Sequence, residues 1–193
     1  MKIVFKIIFT GFVFALLSGV GARSARADQV YFTARDLLAD FFKSSQNVTY
    51  KKVQLDGSET QKLAQRLGYT PSKSSYTFYV ATSGARVDGY AFIDEEKGEH
   101  LPITFAVKLS PTGKVMRQEI VVYREARGDE VRDERFRAQF VGKSASDAIE
   151  TDQDIQAVSG ATISSRAMAV GVKRAVVLFD ELVKPTAMAS ASR

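Results

Sequence analysis

The residues best equipped for chemistry lie near the C-terminal end of the chain, in the string Val158-Ser159-Gly160-Ala161-Thr162-Ile163-Ser164-Ser165. Ser159, Thr162, Ser164 and Ser165 crowd four hydroxyls into seven positions. Gly160 and Ala161 let other groups approach the backbone closely. A helical pattern begins immediately afterwards, so the string sits where a loop enters a helix. The first amides of a helix have no intrahelical acceptor, and the positive end of the macrodipole adds to them. Together they favour an anion such as a phosphate. An ordinary Ser/Thr-rich helix cap has the same composition, so the residues by themselves leave both readings open.

Little else in the chain competes with this string. There is one histidine, His100, which reads as a surface loop residue after Glu99. No paired acid/base constellation stands out, so no catalytic side chain is assigned. The absence of cysteine excludes disulfides, iron–sulfur clusters, c-type haem attached through C-x-x-C-H and a lipid-modified N-terminal cysteine. With no His-rich or Cys-rich ligand set, no metal site is expected. Any redox chemistry must come from an organic cofactor.

The elements that position the string can be read from periodicity. Thr33 suits an N-cap with Asp36 three residues on, and Leu37, Leu38, Phe41 and Phe42 recur on one face, which predicts a helix over 33–44. A second helix is predicted over 58–67, with Leu63, Ala64 and Leu67 inward and Gly68 as its stop. The period then changes. Strands are predicted over 76–81, 87–93, 103–109 and 115–123, with turns at Ser83-Gly84-Ala85 and Ser110-Pro111-Thr112-Gly113 and a loop over 94–102. Two successive hairpins imply an antiparallel sheet of at least four strands.

Residues 124–138 are dense in charge and read either as a solvated loop with a short polar helix or as a rim around an anionic ligand, pinned to the core by Phe136 and Phe140. Residues 144–154 read as a surface connection. The last helix is predicted over 164–183, with Met168, Gly171, Ala175, Leu178 and Leu182 at three–four spacing and Arg166, Lys173, Arg174 and Asp180 elsewhere around it. Lys184-Pro185 ends it. Helices flanking an antiparallel sheet make an α+β single domain over 28–184, followed by a tail, 185–193, expected to be disordered.

The N-terminus bears on the compartment. Lys2 and Lys6 precede an apolar run from Ile7 to Val20, and Ala25-Arg26-Ala27 is a small-x-small site. This order is that of a secretory signal peptide over 1–27, and an uncleaved membrane anchor is the competing reading. The whole chain has a formal net charge of +5. Lys2, Lys6, Arg23 and Arg26 leave with the signal, so 23 of the 27 basic residues then face all 22 acidic ones. A near-neutral mature chain gives no basic face for nucleic acid.

The string SGATISS resembles the flavinylation motif of FMN-binding domains, such as the FMN-bearing subunits of the Rnf and Na⁺-translocating NADH:quinone oxidoreductase complexes. The order of features is similar as well: an N-terminal hydrophobic segment, a small α+β domain, a Gly-Tyr strand at Gly89-Tyr90, a strand after a Gly turn, then S-G-A-T before a terminal helix. The likeness covers most of 33–183.

The resemblance implies that Thr162 is esterified to the phosphate of FMN by a separate flavin transferase using FAD. Ser159, Gly160, Ala161 and Ser164 would then surround the linkage. It further implies a flavin contact at Glu125, the first residue of Glu125-Ala126-Arg127-Gly128 where the family has E-T-P-G. Lys143, in Phe140-Val141-Gly142-Lys143, matches an F-x-G-K stretch and implies charge near the flavin. The chain departs from the family's D-x-x-S-G-A-T at Gln156, with Asp154 two residues earlier.

The implied function is electron transfer by an exported, periplasmic FMN protein between a membrane oxidoreductase and a periplasmic reductase or cytochrome. The cofactor carries the chemistry and the protein supplies attachment, orientation and electrostatics. A small FMN-dependent reductase and a non-redox binding module with a capped helix are the alternatives.

Overall fold

The computed structural model describes residues 28–184; the signal peptide or anchor expected over 1–27 and the tail expected over 185–193 lie outside the described residues. Six strands form one antiparallel sheet: β1 (Gln29–Val30), β2 (Asn47–Gln54), β3 (Ser75–Ser83), β4 (Arg86–Lys97), β5 (Pro102–Leu109) and β6 (Val115–Tyr123), in the order β1-β6-β5-β4-β3-β2. Strands β2 to β6 form a meander, and β1 closes the β6 side by pairing Gln29 with Tyr123 and Val30 with Val122. Among the described residues four α-helices accompany it: α1 (Ala34–Phe41), α2 (Gly57–Leu67), α3 (Glu134–Ala138) and α4 (Thr162–Leu178). The architecture is α+β.

The two faces of the sheet are covered differently. On one, α2, α3 and α4 bury Tyr76, Phe78, Tyr90, Phe92, Phe105, Val107 and Ile120 beneath Leu63, Phe136, Met168, Val172 and Val176. On the other, α1 alone lays Leu37, Phe41 and Phe42 over Ala81, Ala91, Ala106 and Val121. Three alanines beneath one short helix let it sit close to the strands.

The helix starts follow their capping residues. Thr33 Oγ1 accepts from the Asp36 amide at 3.1 Å. At α2 the cap is Asp56: its carboxylate accepts from Glu59 N while Glu59 Oε2 accepts from Asp56 N, a reciprocal capping box that starts the helix at Gly57, one residue before the predicted start. Gly68, at φ 77°, ends α2 as expected.

Two expectations need correction and one is extended. First, β1 and β2 extend the predicted sheet of at least four strands to six. Strand β2 carries little strand signal because it is an edge strand exposed along most of its length, and its two lysines, Lys51 and Lys52, guard that edge instead of alternating with apolar residues. Second, the loop predicted over 94–102 contracts to the turn after Lys97, because β4 continues through Asp94, Glu95 and Glu96. A buried guanidinium makes that run of carboxylates tolerable. Arg174, set apart from the apolar stripe of α4 in the sequence, is 7% exposed; it reaches Asp94 at 3.0 Å, also pairs with Glu96, and donates to the Glu95 carbonyl at 2.8 Å. Burial works against its charge, but Asp94 first, then Tyr69 and Glu96, raise its pKa above the ordinary arginine value. Third, the last helix starts at Thr162 instead of Ser164 and ends in a π-helical turn, Phe179–Val183. The widened turn sets the adjacent Asp180 and Glu181 on one cation, Arg66 of α2, at 3.0 and 2.5 Å.

Candidate functional site

The hydroxyl-rich string folds as a tight turn leading directly into α4. Ala161 N donates to the Val158 carbonyl at 3.0 Å, which places Ser159 and Gly160 at the corner. Gly160 has φ 81°, the left-handed conformation a turn of this kind requires at its third position, where glycine carries no steric penalty. A second tie locks the loop from inside: Ser165, fully buried, accepts from Val158 N at 3.0 Å through its Oγ. Ser165 N in turn donates to Ala161 O at 2.8 Å, the first backbone bond of the helix.

The helix therefore opens with the amides of Thr162, Ile163 and Ser164 lacking intrahelical acceptors, and Ala161 at the N-cap offers no side-chain oxygen to them. Most helices fill this position with a capping side chain. Here the bare amides, the positive end of an α4 about 25 Å long and the exposed Thr162 side chain converge at one point. The arrangement suits a phosphate group held by backbone N–H groups.

Thr162 lies in a cleft of about 260 Å³. Its lining unites Gly160, Ala161, Thr162 and Ser164 with Glu125 from the charged segment, and adds Glu99, Arg127, Gly128 and Ile163. Five of the residues singled out from the sequence thus come together across a separation of more than thirty positions in the chain. A cleft of this size is smaller than the roughly 300–1,000 Å³ that enclose a drug-sized ligand, so it can take a phosphate and part of a larger molecule while the remainder lies across the surface. Ile163, 48% exposed, supplies an apolar shoulder beside it.

The side chains around the cleft are held from beneath. The Tyr123 hydroxyl, at the end of β6, donates to the Arg127 carbonyl and lies 2.8 Å from Ser164 Oγ. Burial pushes this phenol up to about 12, so it remains a donor at any physiological pH. The Ser164 hydroxyl is thereby committed to a buried contact, although the residue lines the cleft. Gly128 completes the arrangement. Its φ is 91°, and a β-carbon there would lie 2.5 Å from Ser164 Oγ and 2.7 Å from the Tyr123 hydroxyl. Gly128→Ala combines a left-handed conformation costing about 1–2 kcal/mol with overpacking of about 1–3 kcal/mol. We expect a thermal midpoint lowered by roughly 5–15 °C, checked by circular dichroism melts; an unchanged midpoint would mean that the contact is not as tight as described.

Glu125 is buried at 6% exposure, and its Oε1 accepts from the amides of His100 at 2.6 Å and Leu101 at 2.8 Å. It clamps the β4–β5 turn that walls the cleft. His100 itself is exposed in that turn, 3.7 Å from Glu99.

Two residues singled out from the sequence lie outside the cleft lining. Ser159 is exposed at the turn corner. Lys143 pairs with Asp154 at 2.7 Å, both partly buried. Burial alone would raise the Asp154 carboxyl; the Lys143 hydrogen bond and the amides of Glu150 and Ile149 overcome it and hold the group below its ordinary value. A depressed carboxyl stabilises the fold above its unfolded pKa and loses that contribution as pH falls through the folded one. Lys143→Met should therefore cost about 1 kcal/mol at pH 7, and its deficit against wild type should shrink as pH falls below about 4, the ordinary carboxylate range. Urea unfolding at several pH values would show this; a deficit independent of pH would exclude the ion pair as its cause.

Gln156 stands where the motif pattern has an acid. Its backbone is held by Gln139, whose Oε1 accepts from Gln156 N at 2.7 Å and whose Nε2 donates to Gln156 O at 3.1 Å. A groove of about 550 Å³ runs beside it between α3 and residues 156–158. Tyr123 and Gln139 escaped the sequence reading of the site; Ser165 stood there only as one of four hydroxyls, and Gly128 only as the end of the E-x-x-G remnant.

Residues 98–177 match the family described as FMN-binding domain. The chain is also 32% identical over 151 residues to a component of the proton-translocating ferredoxin:NAD(+) oxidoreductase complex of Clostridium ljungdahlii, an alignment covering 72% of this chain and 80% of that one. Among solved structures it is similar to NqrC of Shewanella oneidensis, with 16% identity, a TM-score of 0.48, and coverage of 70% of this chain and 80% of the other. The matched region begins at the turn clamped by Glu125 and runs through Thr162 nearly to the end of α4, so it takes in the whole cleft. On that match, and on an identity of about a third across most of both chains, the protein belongs to the FMN-binding domain family.

Proposed function

We propose that this protein is an exported electron-transfer subunit that carries FMN covalently, through a phosphoester to the Thr162 hydroxyl, and serves a membrane oxidoreductase of the Rnf type. One observation carries the reading: Thr162 is exposed at the start of a long helix whose first amides have no side-chain cap, inside the stretch that matches the FMN-binding family. The residues present fit the group. The amides of Thr162, Ile163 and Ser164 would hold the phosphate oxygens, the Arg127 guanidinium at the cleft rim would add positive charge, and Ile163 offers apolar surface to a ring. The relative from Clostridium ljungdahlii is named as part of a ferredoxin:NAD(+) oxidoreductase complex, which supports a membrane partner of that kind.

Attachment needs a second protein. A flavin transferase using FAD would join Thr162 Oγ to the phosphorus of the FMN half; the pyrophosphate bond of FAD breaks, AMP leaves, and the hydroxyl proton passes to a base of the transferase or to solvent. Thr162 is then an attachment point, and the helix start is an electrostatic seat for the resulting phosphodiester. When bound, the flavin supplies two-electron and one-electron chemistry. The chain's own part is to fix the phosphate, wall one side of the cleft with the turn held by Glu125, and leave the rest open to redox partners. The order of Lys2 and Lys6, the apolar run and Ala25-Arg26-Ala27 supports export, and a covalent bond suits a compartment where a lost cofactor is not replaced. The electron acceptor would be a periplasmic reductase or cytochrome.

The reading is tested by producing the full chain with a flavin transferase in a bacterial host, recovering the periplasmic and membrane fractions, and titrating the yellow protein with a reductant and then a one-electron acceptor. Reversible bleaching and recovery in protein from either fraction is the expected result. Loaded protein found only in the cytoplasm, or a flavin that does not exchange electrons with small carriers, would contradict it.

A further inference from the structure

The cleft around Thr162 contains one group that attachment does not require. Glu125 is buried in its wall, and no lysine or arginine pairs with it among the described residues; its hydrogen bonds are to the amides of His100 and Leu101. The nearby arginine of the same strand end, Arg124, is engaged elsewhere, with Asp28 at 3.2 Å and Glu95 at 3.5 Å. A buried carboxylate without a cation is costly, and the clamp on the turn does not explain it. A glutamine would accept the same two N–H groups through the same oxygen. What glutamate adds is a negative charge, placed in the wall of a cleft whose opposite side is an anion seat.

Among the described residues, the other charges on this cleft do not cancel it. Glu99 is of the same sign, and it lies on the turn that Glu125 holds. Arg127 is exposed to solvent, where screening weakens its field. The influence of Glu125 reaches through the wall: after burial, it is among the charges that raise the Tyr123 hydroxyl.

We propose that the Glu125 carboxylate lowers the reduction potential of the flavin bound at this cleft, by opposing the negative charge the cofactor gains when it is reduced. The proposal rests on the reading that FMN is attached at Thr162. At neutral pH a flavin that accepts two electrons from a reduced carrier and one proton from solvent ends with one more negative charge than it had when oxidised. A fixed carboxylate nearby disfavours that state relative to the oxidised one. Glu125 thus acts through the field and through the turn it holds, as a tuning and positioning residue, and takes no proton or electron itself. A flavin poised low in this way suits acceptance of electrons from a strong reductant and their delivery to a higher-potential carrier.

The test compares wild type, Glu125→Gln, Glu125→Ala and Glu99→Gln, all produced as the full chain with a flavin transferase, by spectroelectrochemical titration at neutral pH. Both Glu125 variants are expected to shift the potential upward by about 30 mV, the equivalent of a tenfold change in a two-electron equilibrium, which is the size of one unit charge acting over about 10 Å at an effective dielectric near 20. Glu99→Gln, at an exposed position, should move it much less. Limited proteolysis of the unloaded proteins should show the turn at 98–101 opened in Glu125→Ala and intact in Glu125→Gln. A potential unchanged in both Glu125 variants overturns the proposal, as does a shift seen in Glu125→Ala alone, which would make the shape of the turn and not the charge responsible. Equal shifts from Glu99→Gln and Glu125→Gln also overturn it. Wild-type protein that carries no flavin at all would overturn the attachment reading, and this inference with it, and is recognised before any titration.

Discussion

Thr162→Ala should yield a fully folded protein with no covalent flavin. The loss is expected to be complete, because the substitution removes the only oxygen that this position offers to a phosphorus atom. The neighbouring hydroxyls are poor substitutes: Ser165 is fully buried and committed to Val158 N, and Ser164 is buried against Tyr123. Ser159 is exposed but sits at the turn corner, outside the cleft lining. The fold should hardly notice the change. Thr162 makes no cap bond at the start of α4, its side chain is exposed, and alanine is the better helix former, so the stability difference should stay within about 0.5 kcal/mol. Fluorescence of the denatured protein in a gel and a thermal melt measure the two halves of this expectation. Thr162→Ser, which keeps an oxygen, should retain modification in part. Covalent flavin persisting in Thr162→Ala would place the attachment elsewhere.

The second large effect concerns the scaffold. Arg174 projects from the middle of the helix that begins at Thr162 and is the cation on which the acidic end of β4 depends. Arg174→Ala leaves Asp94, with its side chain 4% exposed, paired only with Lys73, a residue half exposed to solvent, and withdraws the donor from the Glu95 carbonyl. Removing one partner of a buried pair costs about 3–5 kcal/mol. For a domain of this size that lowers the thermal midpoint by roughly 6–20 °C. Because α4 carries the anion seat at its far end, flavin loading should fall along with stability and be restored at lower growth temperature. Replacing the charged set together, by Arg174→Met with Asp94→Leu and Glu96→Leu, should recover much of the loss, since an apolar set of similar volume often matches a buried ion pair. A loss below about 1 kcal/mol on Arg174→Ala, the range of an exposed pair, would show that water or Lys73 compensates Asp94 far better than the geometry implies.

The same arginine shows where the sequence is legible and where it is not. Local signals carry through. Thr33 with Asp36, Gly68, the Pro-Gly turn before β6 and the switch from threefold–fourfold to alternating spacing all act within a few residues, and each appears in the structure close to its expected place. Signals that depend on a distant partner are hidden. Asp94, Glu95 and Glu96 look like a loop because a run of carboxylates is not strand-like, and nothing local announces that Arg174 will neutralise two of them from eighty residues away. Strand β2 escapes for the opposite reason: as an exposed edge it has no buried face to impose alternation.

The candidate site divides along the same line. Thr162, Gly160 and Ala161 can be picked out because the turn and the bare helix start are written in adjacent residues. The inward commitment of the Ser164 hydroxyl cannot, since it depends on Tyr123 and on the absence of a β-carbon at Gly128, two residues that meet α4 only in the folded chain. Glu125 is visible as a remnant of a motif, but its burial and its hold on the turn at 98–101 belong to the tertiary structure. Lys143 stands out for the company it keeps in sequence, and its pairing with Asp154 belongs to the tertiary structure.

The most direct test of the account is to locate the flavin in the protein itself. The full chain, produced with a flavin transferase, is denatured, its intact mass is measured, and the tryptic peptide 144–166 is fragmented. The expected result is a mass increased by one FMN less one water, with the addition carried by Thr162 through phosphorus. An unmodified mass under conditions that load another member of the family, or an addition on any other residue of that peptide, would contradict it.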